Sequence, residues 1–122
     1  MNEGILGLAM GFASGFPQPA TPPAMQPPTD LTASYFDTGF DITTTIDWIA
    51  PAGPTPDTYD FQYNSAGIGF FTLTLSGTAV QEIVFGEYYN VYWNVYISSQ
   101  KAGYSDSTQA FYDGTTPPGS YP

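Results

Sequence analysis

Cysteine and histidine are absent from this chain, and Lys101 is its one basic side chain against eleven carboxylates. Each absence removes a class of chemistry. Without cysteine there is no disulfide framework, no thiolate metal site and no thiol nucleophile, so burial alone must hold the fold. Without histidine, the side chain most often used for proton transfer near neutral pH is missing too. A formal charge of −10 cannot neutralise phosphates, which makes nucleic acid and anionic membrane surfaces poor partners. The same charge drives copies of the chain apart except where apolar contact outweighs it. Long hydrophobic runs are also missing. The apolar stretch over residues 5–16 falls short of the roughly 20 residues of a membrane span. The N-terminus, MNEGILGLAMGFASGF, carries Glu3 and neither Lys nor Arg. It therefore lacks the positive region of a secretory signal and reads as an unprocessed product of cytoplasmic synthesis.

What the chain does have is aromatic and hydroxyl side chains, glycine and proline, a composition of strands and turns. Its 122 residues suffice for one domain with appendages. Residues 1–16 form an apolar segment in which Gly7, Gly11 and Gly15 recur every fourth position while Ile5, Leu6, Leu8, Met10, Phe12 and Phe16 supply apolar surface. On a helix the glycines would line one face and allow close contact with a partner. Each interior glycine costs about 1 kcal/mol, so a lone helix would not persist, and the alternative is an apolar leader without regular structure. Residues 17–28, PQPATPPAMQPP, favour an extended polyproline spacer of about 3.1 Å per residue. Residues 29–113 are expected to form the folded unit, and residues 114–122 a polar C-terminal tail.

The stretch over residues 83–95, IVFGEYYNVYWNV, organises the rest. Beyond Gly86, Tyr89, Val91, Trp93 and Val95 alternate with Tyr88, Asn90, Tyr92 and Asn94, which predicts a strand with an apolar inner face and a tyrosine–asparagine outer face. Ile42, Thr44, Ile46 and Trp48 alternate with Asp41, Thr43, Thr45 and Asp47 in the same way, and Tyr59, Phe61 and Tyr63 with Asp60 and Gln62. Seven such runs at intervals of about ten residues, without a helical period between them, suggest a two-sheet antiparallel β-sandwich.

With these residues in place the chain resembles a fibronectin type III domain over about residues 27–113. PPTDLTAS resembles the proline-led first strand, and IDWIAP the second strand with its core Trp48. TYDFQY resembles the third strand, with Tyr59, Phe61 and Tyr63 inward. IVFGEYYNVYW resembles the family's apolar–x–Pro–Gly–Thr–x–Tyr–x–Val–x–Val signature: Ile83 stands at the apolar position, Gly86 at the glycine and Tyr89 at the tyrosine corner, with Val91 and Trp93 following inward. GYSDS matches the family's Gly-x-Ser lead-in to the last strand. Phe85 replaces the usual proline and Glu87 the usual threonine. The resemblance implies a seven-stranded, all-β fibronectin type III-like sandwich carrying an extended N-terminal anchor arm.

Catalysis is hard to assemble from this inventory, and no cofactor is expected. Asp57 with Asp60 and Asp41 with Asp47 are the candidate carboxylate pairs, and they fall at a loop edge and on an outward strand face. DTGFD over residues 37–41 lacks the spacing of a calcium loop and reads as a glycine turn. Gly67, Ile68 and Gly69 make no phosphate loop, because no helix follows. The resemblance would allow an Arg-Gly-Asp adhesion loop before the last strand, but that loop is SSQKAG and the chain has no arginine.

Tyr88, Asn90, Tyr92, Asn94 and Tyr96, with Tyr104 nearby, form the candidate contact face, since tyrosine and asparagine give low-entropy contacts with adaptable hydrogen bonding. Cross-strand packing alone also places tyrosines on sheets, so both accounts stand at this level. Fibronectin type III-like domains occur as appendages of bacteriophage particles. The resemblance therefore carries the expectation of a non-enzymatic capsid decoration, head-fibre or tail accessory protein at the virion surface. Its expected partners are other virion proteins through residues 1–28, with self-association or a host-surface glycan as further partners. The alternative expectation is a carbohydrate-binding or adhesion module of a bacterial surface.

Overall fold

Strict alternation makes residues 42–49 the first strand to place, because Ile42, Thr44, Ile46 and Trp48 are all buried while the residues between them are half-exposed. A computed structural model describes residues 21–119, and the anchor segment expected over 1–16, with Ile5, Leu6, Leu8, Met10, Phe12 and Phe16, lies outside the described residues. Seven strands follow in order: β1 (Thr29–Asp37), β2 (Ile42–Ile49), β3 (Thr58–Ser65), β4 (Gly69–Ser76), β5 (Gln81–Glu87), β6 (Tyr92–Gln100) and β7 (Ala110–Thr115). They form a three-stranded sheet in the order β1-β2-β5 and a four-stranded sheet in the order β4-β3-β6-β7, with all neighbours antiparallel. The chain is thus the all-β, fibronectin type III-like sandwich that the alternation and the resemblance imply.

The space between the sheets is filled by rings. Trp93 is fully buried and stacks on Tyr63 at 5.8 Å, and Tyr63 stacks in turn on Phe71 at 5.2 Å. Trp48 meets Tyr59 edge-on at 5.7 Å, and its indole N–H donates to the Ala79 carbonyl at 3.0 Å. The Trp93 indole donates to the Tyr35 hydroxyl at 3.1 Å. Each fully buried ring contributes about 2–3 kcal/mol of apolar transfer, and the two indole N–H groups find partners, so a chain without disulfides can hold together.

The organising stretch departs from its expected geometry. It is not one strand: residues 83–87 end β5 in one sheet, residues 88–91 turn, and β6 begins at Tyr92 in the other sheet. Ile42 pairs with Glu87 and Thr44 with Val84, so Phe85 and Gly86 together oppose Thr43. That is a β-bulge, and Gly86 takes the positive φ of 76° that such an extra residue requires. The bulge shifts the inside–outside parity by one. Val84 and Glu87 both point in, and Ile83, at the apolar position of the signature, faces out. Val91 is half-buried in the turn rather than in the core; its amide donates to Thr116 Oγ1 at 2.9 Å. Asn90 closes the turn at φ 56°, a left-handed position that asparagine tolerates.

Two boundaries also move. β7 continues through Thr115, and Thr116 is buried with its hydroxyl donating to the Tyr88 carbonyl at 2.6 Å, so residues 114–116 belong to the sandwich. At the other end Ser105 N donates to Pro23 O at 3.0 Å, Met25 N donates to Ser105 O at 2.9 Å, and the Met25 side chain is buried. The second half of the proline-rich stretch is therefore fastened to the β6–β7 loop. The Gly-x-Ser motif supplies that fastening, and β7 itself starts only at Ala110.

Candidate interaction surfaces

The outer face of the four-stranded sheet gathers part of the expected contact ladder. Tyr96 pairs with Gln62 on one side and Phe111 on the other, and Asn94 pairs with Asn64 and Asp113. The Tyr96 and Phe111 rings lie 4.9 Å apart. Tyr92 donates its hydroxyl to Asp113 Oδ2 at 3.0 Å, and Gln62 donates to Asp60 Oδ2 at 2.9 Å. Tyr92, Tyr96 and Phe111 remain 48%, 37% and 49% exposed, so the rings are braced by neighbours yet open to solvent.

Tyr88, Asn90 and Tyr104 do not share this strand face. Tyr88 and Asn90 sit in the β5–β6 turn, where a Cβ on Gly67 would meet Tyr88 Cδ2 at 2.7 Å, so Tyr88 lies over the β3–β4 turn. Tyr104 is half-buried in the β6–β7 loop, its amide donating to Lys101 O at 3.1 Å. Gln62 and Phe111, which complete the face, escaped sequence reasoning because only cross-strand register brings them beside Tyr96.

A second surface was not among those expected. On the outer face of the three-stranded sheet, Phe36 pairs across from Thr43, and the bulge residue Phe85 stands on the other side of the same threonine. Ile83 pairs with Thr45 one step along. Phe36, Phe85 and Phe40, the last at the tip of the β1–β2 turn, are 67%, 71% and 88% exposed. The alternation of β1 could have flagged Phe36 as outward, and Phe85 follows Ile83 to the same face by period two, but only strand register sets the two beside one threonine.

Between the sheets, Glu87 is fully buried and accepts three hydrogen bonds: from Tyr63 Oη at 2.5 Å, Ser65 Oγ at 3.2 Å and its neighbouring amide, Tyr88 N, at 3.1 Å. Burial, then the bond to Glu87, pushes the Tyr63 hydroxyl far above the ordinary tyrosine range. The group reads as structure: a carboxylate closed over by Gly67, whose Cβ would come within 2.6 Å of Glu87 Oε1, offers a ligand no access.

The carboxylates considered in pairs for catalysis each engage another partner. Asp57 faces Lys101 at 3.5 Å and is held below the usual carboxylate range first by the Ala102 amide and then by that lysine. Asp60 serves Gln62, and Asp47 accepts from Gln81 at 2.8 Å. Residues 37–41 form the expected glycine turn, with Gly39 at φ 94° and Thr38 Oγ1 bonded to Asp41 Oδ1 at 2.7 Å. Among the described residues no group of three or more carboxylates could hold a metal ion.

No family model and no curated protein matches the chain. Solved structures do. A fibronectin type III domain of the human collagen alpha-1(XX) chain, solved in solution, aligns with a TM-score of 0.65 at 21% identity over 81% of this chain and 91% of its own. A crystal structure of a fibronectin type III domain of human collagen XX aligns with a TM-score of 0.63 at 14% identity, over 82% of this chain and 100% of its own. The FN5 domain of Drosophila Lar aligns at 0.56 and 15% identity, over 79% and 100%. At such identities the likeness concerns the fold, and the fold is that of a fibronectin type III-like β-sandwich.

Proposed function

We propose that this chain is a non-enzymatic interaction module that serves as a structural subunit of a virion, a capsid decoration, head-fibre or tail accessory protein. It docks through residues 1–28 and displays the sandwich at the particle surface. The observation that carries the interaction role is the outer face of the four-stranded sheet, where Tyr92, Tyr96 and Phe111 stand braced and open beside Asn94 and Gln62. Aromatic–amide surfaces on rigid strands suit binding. The virion reading is supported by the acidic, cysteine-free composition and the apolar, glycine-spaced residues 1–16. Its test is truncation. A chain lacking residues 1–16 should fold and stay soluble but fail to join purified particles; full incorporation of the truncated chain would refute the docking role.

A second reading is a carbohydrate-binding module, favoured by the Tyr96–Phe111 ring pair with the Gln62 amide beside it. Alanine at Tyr92 and Tyr96 would then abolish glycan binding and leave particle assembly intact.

A further inference from the structure

Phe36, Phe40, Ile83 and Phe85 present an apolar end to the three-stranded sheet, and their outward neighbours there, Thr43 and Thr45, carry no charge. Asp37 and Asp41 border that end at the β1–β2 turn, each engaged locally, the first by Tyr89 and the Gly39 amide and the second by Thr38, and Asp47, two positions beyond Thr45 on β2, is engaged by Gln81. From their exposures, these side chains offer roughly 500 Å2, the size of patch that marks a binding site. A stable dimer needs about 800 Å2 from each partner, and this chain's charge of −10 opposes a second copy. The face thus suits a short apolar segment better than another sandwich.

We infer that residues 5–16 of the same chain cover this face in the unassembled protein. The inference builds on the docking role proposed for the N-terminus, but it concerns the chain before it meets a particle. Ile5, Leu8, Phe12 and Phe16 supply the apolar side chains, and within that segment there is no charge to bury. Reach permits it. The chain is fastened at Met25, beside the β6–β7 loop and thus at the end of the sandwich opposite Phe36. From Thr29 to Phe36 β1 spans about 23 Å, whereas Phe12, eleven residues before Pro23, which is bonded to Ser105 as Met25 is, can lie up to about 35 Å from it along an extended chain. A tether of this length gives an effective concentration on the order of millimolar, which a separate copy repelled by like charge cannot match. The proline-rich root would then work as a strap, holding the apolar segment against its own sandwich until a particle offers a better surface.

The absence of cysteine makes a site-specific test straightforward. Ala9→Cys in the full-length chain takes a single nitroxide spin label, and amide spectra of the labelled monomer report which face it approaches. The expected result is selective loss of signal at Thr43, Thr45 and Ile83, with Gln62, Asn94 and Tyr96 on the opposite face unaffected. The loss should persist on dilution and disappear in the Phe36→Ser/Phe85→Ser variant, whose folding is checked by its unchanged Trp93 and Val95 amide signals. Uniform signal loss, or none, overturns the inference; loss that fades on dilution assigns the face to a second copy and overturns it equally. Because the label reads isolated protein, its outcome is independent of whether the truncated chain joins particles.

Discussion

Tyr63 donates its hydroxyl to the Glu87 carboxylate across 2.5 Å in the fully buried space between the two sheets. The pair exists because the bulge at Phe85 and Gly86 turns Glu87 inward, where β3 supplies both Tyr63 and Ser65 as donors. Removing the acceptor would strand two buried hydroxyls and open a void beside Gly67. Glu87→Ala should therefore cost about 2–4 kcal/mol of stability, and Glu87→Gln, which keeps the shape and one acceptor, clearly less. Urea unfolding at neutral pH measures both, and equal effects would mean that packing, not hydrogen bonding, carries the site.

Stability should fall in alkali. The hydroxyl of Tyr63 is raised by burial and by Glu87, and those of Tyr59 and Tyr35 are raised chiefly by burial. An unfolded tyrosine ionises near pH ~10, so above that pH the unfolded chain gives up protons that the folded one keeps. The contribution is fully present below that pH and is lost progressively as pH rises from there through the raised folded value. Tyr63→Phe should flatten the decline of unfolding free energy above about pH 10, read from denaturant titrations at a series of pH values.

At the acid end the sign reverses for Asp37. Its carboxylate is held below the ordinary range first by the Tyr89 hydroxyl at 2.6 Å and then by the Gly39 amide at 2.8 Å. A depressed carboxylate contributes stability that is present above its unfolded value, near pH ~4, and lost as pH falls through the folded one. Tyr89→Phe should move the Asp37 titration back up toward its ordinary value, followed by carboxyl carbon shifts; an unmoved titration would leave the Gly39 amide as the whole cause.

Two glycines should respond to alanine for different reasons. At Gly77 a Cβ would lie 1.8 Å from the Pro56 carbonyl oxygen, so backbone must shift, and Gly77→Ala is expected to cost about 2–3 kcal/mol. At Gly39 nothing lies within 4 Å, and the cost is only that of a left-handed backbone, φ 94°, about 1–2 kcal/mol. Thermal unfolding of the two variants should separate them by several degrees.

The strands with unbroken alternation could be read directly. Ile42 to Trp48 and Tyr59 to Tyr63 needed only period two, and Trp93, Val95 and Ile97 follow the same rule within β6. Of the contact ladder, Tyr92, Asn94 and Tyr96 come together because they share that strand, while Tyr88 and Asn90 fall into a turn and Tyr104 into a loop. Gln62 and Phe111 were hidden because register between strands distant in sequence is set by packing and not by local pattern.

Composition and alternation by themselves determined a cysteine-free β-sandwich held by buried rings. Tertiary structure alone decided what the stretch over residues 83–95 does. Period two tells which residues share a face only while the pairing is regular, and one extra residue at Phe85 and Gly86 inverts it. That inversion drove Glu87 into the core to meet Tyr63, while Phe85, still in step with Ile83, stays outside beside Phe36.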